Sequence, residues 1–124
     1  MAIIFLTPAN LDANQRVISE EISITTLDDD IRLMSLPAPD VIKIDIESGE
    51  LAALVGARKT LLAHHPLLFV EMHGETMNLK LKNVAAIVAY LNELGYDDIQ
   101  HVESGVRITA QNSFVAAEGH LCCR

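Results

Sequence analysis

The sequence predicts a parallel α/β fold with an antiparallel finish. Apolar strand-like runs alternate with helical stretches through the middle of the chain. The run "LLFVEMH" at 67–73 is almost continuously apolar and reads as a strand. The last third reads as short strands joined by turns. At 124 residues the chain is long enough for one core, so a single domain over 1–124 is expected.

Taken in order, Ala2–Thr7 reads as a strand that Pro8 and Asn10 end. "VISEEISITT" holds a second extended stretch, with Ile22, Ile24 and Thr26 alternating against Ser23 and Thr25. Thr26 with Asp29 three positions later has the form of a capping box. A short helix should follow, with Leu27, Ile31 and Met34 on one face, and "LPAPD" should end it. Acidic residues at 28–30 are then explained by capping and the helix dipole rather than by a metal loop.

Val41–Ile46 is the next strand. Ser48 is placed to cap the helix after it, Glu50 lies in the first turn, and Leu51, Leu54, Val55, Leu61 and Leu62 make the buried face. Pro66 ends that helix, and His64 and His65 sit at its C-terminal end, where a cation suits the dipole. The strand "LLFVEMH" precedes a third helix carrying Val84, Ile87, Val88, Leu91 and Leu94, with Gly95 as its C′ residue. "DIQHV", "VRIT" and "SFVAA" read as finishing strands, the first two joined by a turn at Glu103-Ser104-Gly105.

Composition excludes some functions. A net charge of −8 leaves no basic face for nucleic acid or an anionic membrane. Half of the residues are hydrophobic, which argues for a packed fold. Cys122 and Cys123 are adjacent, which suits neither a bridge between distant elements nor a zinc site, so they read as free thiols on a tail in a reducing compartment. The run Ala2–Leu6 lacks the basic flank and length of a signal peptide, and no run approaches the ~20 apolar residues of a membrane span. A cytoplasmic location is expected.

The charges within the strands point to a site. Side chains alternate along a strand, so Lys43, Asp45 and Glu47 face one way and Ile42, Ile44 and Ile46 the other. In the following strand Phe69, Glu71 and His73 oppose Leu68, Val70 and Met72. If the two strands are parallel neighbours, Asp45, Glu47, Glu71 and His73 meet at their C-terminal ends, where open α/β sheets bind ligands. Such a set can hold magnesium, manganese or calcium, or it can supply a general base and orienting groups at a hydroxyl. Lys43 can equally pair with Asp45 or Glu71 as a structural ion pair. His101 and His120 show no partner in the sequence.

Those residues also carry a resemblance. "TTLDD", then "PDVIKIDIESGELAALVGA", then "HPLLFVEMHG" resemble the FkbM-type methyltransferases, S-adenosylmethionine-dependent enzymes that mostly methylate hydroxyl groups. The family pattern runs K-I-D-V-E-G-x-E-x-x-x-L-x-G-A and then P-x-L-x-x-E-x-H. Lys43, Asp45, Glu47, Glu50, Leu54, Gly56, Ala57, Glu71 and His73 match it. "PANLDANQRV" is similar to an asparagine-bearing loop of the family and "NSFVAAE" to its closing strand. Ser48 departs from the pattern, standing where the family has glycine, with Gly49 after it.

The resemblance implies a Rossmann-like methyltransferase sheet and transfer of a methyl group to a hydroxyl of a small molecule or sugar. Asp45 and His73 would activate the acceptor, while Glu47 and Glu71 position it or hold a divalent metal. The cofactor expected for the family is S-adenosylmethionine. The glycines fall at 49, 56, 74, 95, 105 and 119, so no G-x-G exists to cradle it. The sheet is therefore expected to be partial, lacking the first cofactor-binding strands, and this chain alone is not expected to bind the donor or methylate. A homo-oligomer, or a partner supplying the missing half, follows from an uncovered sheet edge or from the Ala2–Leu6 strand. Two alternatives stay open, a non-catalytic oligomeric remnant and a divalent-metal-dependent hydrolase.

Overall fold

A computed structural model describes residues 23–124 of the chain. The expected strand at Ala2–Thr7, and the second extended stretch as far as Ile22, lie outside the described residues. Residues 23–26 pair with no strand and lead directly into helix α1, Leu27–Met34. The cap is as the sequence implies, with the Asp29 amide donating to Thr26 Oγ1 over 3.1 Å.

Strand β1 (Val41–Ile44), helices α2 (Glu50–Gly56) and α3 (Arg58–His64), strand β2 (Leu67–Met72) and helix α4 (Met77–Glu93) follow, then strands β3 (Ile99–His101) and β4 (Gly119–Cys123). The strands form one mixed sheet in the order β1-β2-β4-β3. β1 and β2 run parallel, and β4 runs antiparallel to both β2 and β3. Alternation puts Leu68, Val70 and Met72 of β2 on the buried side, where they join Leu54, Leu61, Val84, Ile87 and Leu91 from the helices. Ile99 and Leu121 extend this core across β3 and β4.

Several expectations need correction. The helix expected to run unbroken to His65 is two helices, because Ala57 leaves helical geometry (φ −105°, ψ 5°). The break frees the first amides of α3, and Asp28 of α1 binds them, accepting from Lys59 N at 2.8 Å and Thr60 N at 2.9 Å. Leu54 and Leu61 are buried as expected, but Leu51, Val55 and Leu62 are exposed because the two short helices present different faces. In α1, Leu27 packs against the core while Met34 is exposed. Ser48 is not a cap; Gly49 holds that position and makes no side-chain bond.

The C-terminal third differs most. "SFVAA" is not a strand; Ser113–Ala116 is a 3-10 helix. Asn112 turns the chain there, its Oδ1 accepting from Thr109 N at 2.7 Å and its amide donating to Arg107 O at 3.0 Å. Burial then has a period of three, with Ser113 and Ala116 inside and Phe114 62% exposed between them. The closing strand is β4, so Cys122 and Cys123 are buried residues of a sheet and not a tail. Burial pushes the Cys123 thiol up to about 12. "VRIT" contributes only a bridge from Arg107 to Gln100, although the turn at 103–105 is present, with Gly105 N donating to His101 O at 2.8 Å. Among the described residues no helix is long and apolar enough to cross a membrane.

Burial alone would raise the Asp28 carboxyl, but its bonds from Thr60 and Lys59 outweigh this and hold it below 3.8. Replacing Asp28 with Ala is expected to cost about 1–2 kcal/mol of stability at neutral pH. A carboxyl depressed in the folded state contributes fully above its unfolded value and loses the contribution as pH falls through its folded value. Urea unfolding should therefore separate wild type and variant at pH 7 and bring them together in strong acid.

Candidate active site

The site grows from the parallel pair. Ile44 of β1 lies opposite Val70 of β2, so Asp45 leaves β1 beside Glu71, and His73 is the first residue beyond β2. Antiparallel pairing sets Glu71 opposite His120 of β4. Asp45, Glu71 and His120 thus form a row across three neighbouring strands, on the face away from the helices.

His73 is the centre. Its Nδ1 lies 2.6 Å from Oε1 of Glu50, the first residue of α2, which is only 2% exposed. Asn83 of α4 donates to the His73 carbonyl over 2.9 Å and fixes the backbone beneath the ring. With Nδ1 engaged, Nε2 is the nitrogen presented outward. It lies 3.7 Å from Glu71 Oε1, 3.9 Å from Glu47 Oε1 and 4.0 Å from Asp45 Oδ1. All four residues singled out from strand parity are therefore together. Lys43 joins them indirectly, its Nζ 3.0 Å from Asp45 Oδ2.

The charges fix the electrostatics. Burial works against a charged His73, but the Glu50 hydrogen bond and the charges of Glu47, Glu50 and Glu71 prevail and raise its pKa above 6.5. Hydrogen bonds with Lys43 first and Glu71 second lower the Asp45 pKa, and the same pairing raises that of Lys43. One ligand atom each from Asp45, Glu71 and His73 lie within 4.8 Å of one another, so these three could hold a small cation.

A family model described as the methyltransferase FkbM domain matches residues 7–97, a span that contains every one of these groups except His120. The chain belongs to the FkbM methyltransferase family. No curated protein and no solved structure matches it.

Ser48, the position at which the sequence departs from the family pattern, has φ +64°, in the left-handed region that costs an L-residue about 1–2 kcal/mol. Across this strained turn Glu47 Oε1 lies 3.9 Å from His73 Nε2. Methyltransferases of this family generally use S-adenosylmethionine. Among the described residues, the loop from β1 to α2 carries Asp45, Glu47 and Ser48 with a single glycine, Gly49.

Sequence reasoning missed Glu50, His120, Glu103 and His101. Glu50 had a sufficient explanation in the helix dipole, and the histidine partners come from distant strands. His120 Nδ1 lies 2.6 Å from Glu103 Oε1, and His101 Nε2 lies 3.1 Å from Glu103 Oε2. The bonds from His120 pull the Glu103 carboxyl down to about 2. The apolar run "LCC" after His120 was the available sign that this segment is a strand.

Removing the Glu50 charge should release His73. Glu50→Gln is expected to move the His73 titration to lower pH, because burial then acts with less opposition. Imidazole resonances followed by NMR from pH 5 to 9 would read it. A raised histidine stabilises the fold below its unfolded value of 6.5, and that contribution fades as pH rises through the folded value.

Proposed function

We propose that this chain carries the acceptor side of an S-adenosylmethionine-dependent methyl transfer to a hydroxyl of a small molecule or sugar. The observation that supports this most directly is the buried Glu50 carboxylate 2.6 Å from His73 Nδ1. A carboxylate behind an imidazole fixes its orientation and stabilises the imidazolium it becomes. As the acceptor oxygen becomes an ether oxygen, its O–H bond breaks and the proton passes to His73 Nε2. Asp45, Glu47 and Glu71 surround that nitrogen and stabilise the positive charge that forms on the ring as it takes the proton. We read the described strands as part of a Rossmann-like methyltransferase sheet, with the donor held by residues other than these.

Two measurements test this reading. Isothermal titration of the chain with S-adenosylmethionine should show no saturable binding tighter than about 100 μM, roughly 5.5 kcal/mol. Methyl transfer by the native assembly, followed by mass spectrometry of the product, should fall about 10²–10⁴-fold in His73→Asn. Activity should also rise with pH as His73 loses its proton. Tight donor binding by this chain, or a His73→Asn variant with full activity, would count against it.

A second reading has its own support in the Asp45, Glu71 and His73 ligand atoms. A divalent ion there would occupy the same Nε2, and magnesium, manganese or calcium suits the oxygens. Loss of activity in chelator, restored by one of these ions, would favour it.

We also propose that the chain self-associates. β1 is an edge of the described sheet, Val41 and Ile46 are exposed beside it, and an apolar hollow of about 220 Å³ opens between Leu27, Ile42, Ala53 and Leu61. Light scattering at tens of micromolar should give a dimer or larger species; a clean monomer would refute this.

A further inference from the structure

A neutral His73 leaves one charge unanswered. Glu50 is 2% exposed, and among the described residues His73 is its only partner of opposite charge. To accept a proton, His73 must first be neutral, and the buried carboxylate then faces an uncharged ring. A buried charge without compensation is strongly destabilising. Lys43 is engaged with Asp45 and Lys80 with Glu118, so neither supplies it.

The space behind Glu50 can. A cavity of about 60 Å³ lies between α2 and α4, with Ser48, Glu50, Leu51, Asn83, Ala86 and Ile87 in its lining. Glu50 and Ile87 are buried there, whereas Leu51 and Ala86 are exposed, so the cavity opens to solvent. Oε1 of Glu50 is taken by His73 Nδ1, and Nδ2 of Asn83 by the His73 carbonyl. Among the described residues nothing hydrogen-bonds to Glu50 Oε2, Asn83 Oδ1 or Ser48 Oγ. No fully buried polar side-chain atom of the described fold goes unpaired, so Oε2 is reached from the cavity.

The side chains thus offer three oxygens, from a carboxylate, an amide and a hydroxyl, which is a donor set for a hard cation. One carboxylate balances one positive charge and repels an anion. Water satisfies an oxygen's hydrogen bond but brings no charge. Ser48 supplies the hydroxyl at the position where this chain departs from the family pattern.

We propose that this cavity binds a small monovalent cation of the potassium or ammonium class through Glu50 Oε2, Asn83 Oδ1 and Ser48 Oγ. The ion compensates Glu50 when His73 is neutral and so favours the form of the ring that accepts a proton. That role rests on reading His73 as the base; the site itself rests on the cavity and its oxygens.

The test needs neither methyl donor nor acceptor. Potassium, ammonium and tetramethylammonium chlorides are each added to the chain in low salt. The Asn83 side-chain amide and the Ala86 methyl group are followed by NMR. Potassium and ammonium should give saturable shifts, half complete below ~150 mM, the physiological ionic strength. Tetramethylammonium, whose methyl groups keep its charge from the oxygens, should give none that saturate. Ser48→Gly removes the hydroxyl and relieves the left-handed strain, so it should fold and bind about fivefold more weakly. Ala86→Leu should fill the cavity and abolish the Asn83 response. Shifts that are linear in salt, equal for all three ions, or unchanged in Ser48→Gly would overturn the proposal. The comparison of ions on the wild type decides even if Ala86→Leu fails to fold. A native assembly that transfers methyl groups without such binding would overturn this proposal alone. Saturable binding in an assembly that transfers none would keep the site and sink the methyl-transfer reading.

Discussion

The bond between the buried Glu50 carboxylate and His73 is the constraint on which the site depends. A carboxylate with 2% exposure needs a charged or hydrogen-bonding partner, and removing that partner would leave an uncompensated buried charge. The bond joins the first residue of α2 to the residue just past β2. It therefore sets how far α2 can stand from the sheet and the path of the loop that carries Asp45 and Glu47. Asn83 ties α4 to the same place through the His73 carbonyl. A shift of either helix would move the ring, so the packing of the core and the aim of Nε2 are one mechanical problem.

Around that bond, the sheet supplies order at low cost. Strand pairing puts Asp45, Glu71 and His120 side by side without any special loop. Like charges held this close would repel, and the structure answers each one separately. Lys43 neutralises Asp45, His73 lies between Glu50 and Glu71, and His120 lies between Glu71 and Glu103. The result is an alternation of carboxylate and imidazole across the open end of the sheet. Such alternation tolerates several charges in a small space while leaving lone pairs and N–H groups available to a ligand.

How much of this could be read from the sequence depended on how local the cause was. The Thr26 cap, the parallel β1–β2 pair and the convergence of Asp45, Glu47, Glu71 and His73 all follow from spacings of two or three residues. The break at Ala57 does not, because Asp28, some thirty residues earlier, satisfies the amides it frees. "SFVAA" has strand-like composition, and only the Asn112 turn makes it a 3-10 helix. Cys122 and Cys123 read as thiols on a tail because two adjacent cysteines near the end suit neither a disulfide nor a zinc site, whereas they act as small apolar residues in a sheet. Glu50 was visible and assigned to the dipole. Its histidine partner depended on a strand–helix contact that no local pattern encodes.

The position of β4 has a consequence for the order in which the site comes into being. Of the described strands it is the last in sequence, yet it lies inside the sheet, between β2 and β3. Until it is in place, β3 has no strand partner linking it to β2, and the β1–β2 pair stands apart. The Glu50–His73 half is built from residues close in sequence and can form early during synthesis. His120 and the Glu103 carboxylate that holds it can reach Glu71 only after β4 inserts, which closes a long loop and is intrinsically slow. A nascent chain would therefore possess one imidazole station well before the other, and the insertion of β4 that completes the sheet also completes the site.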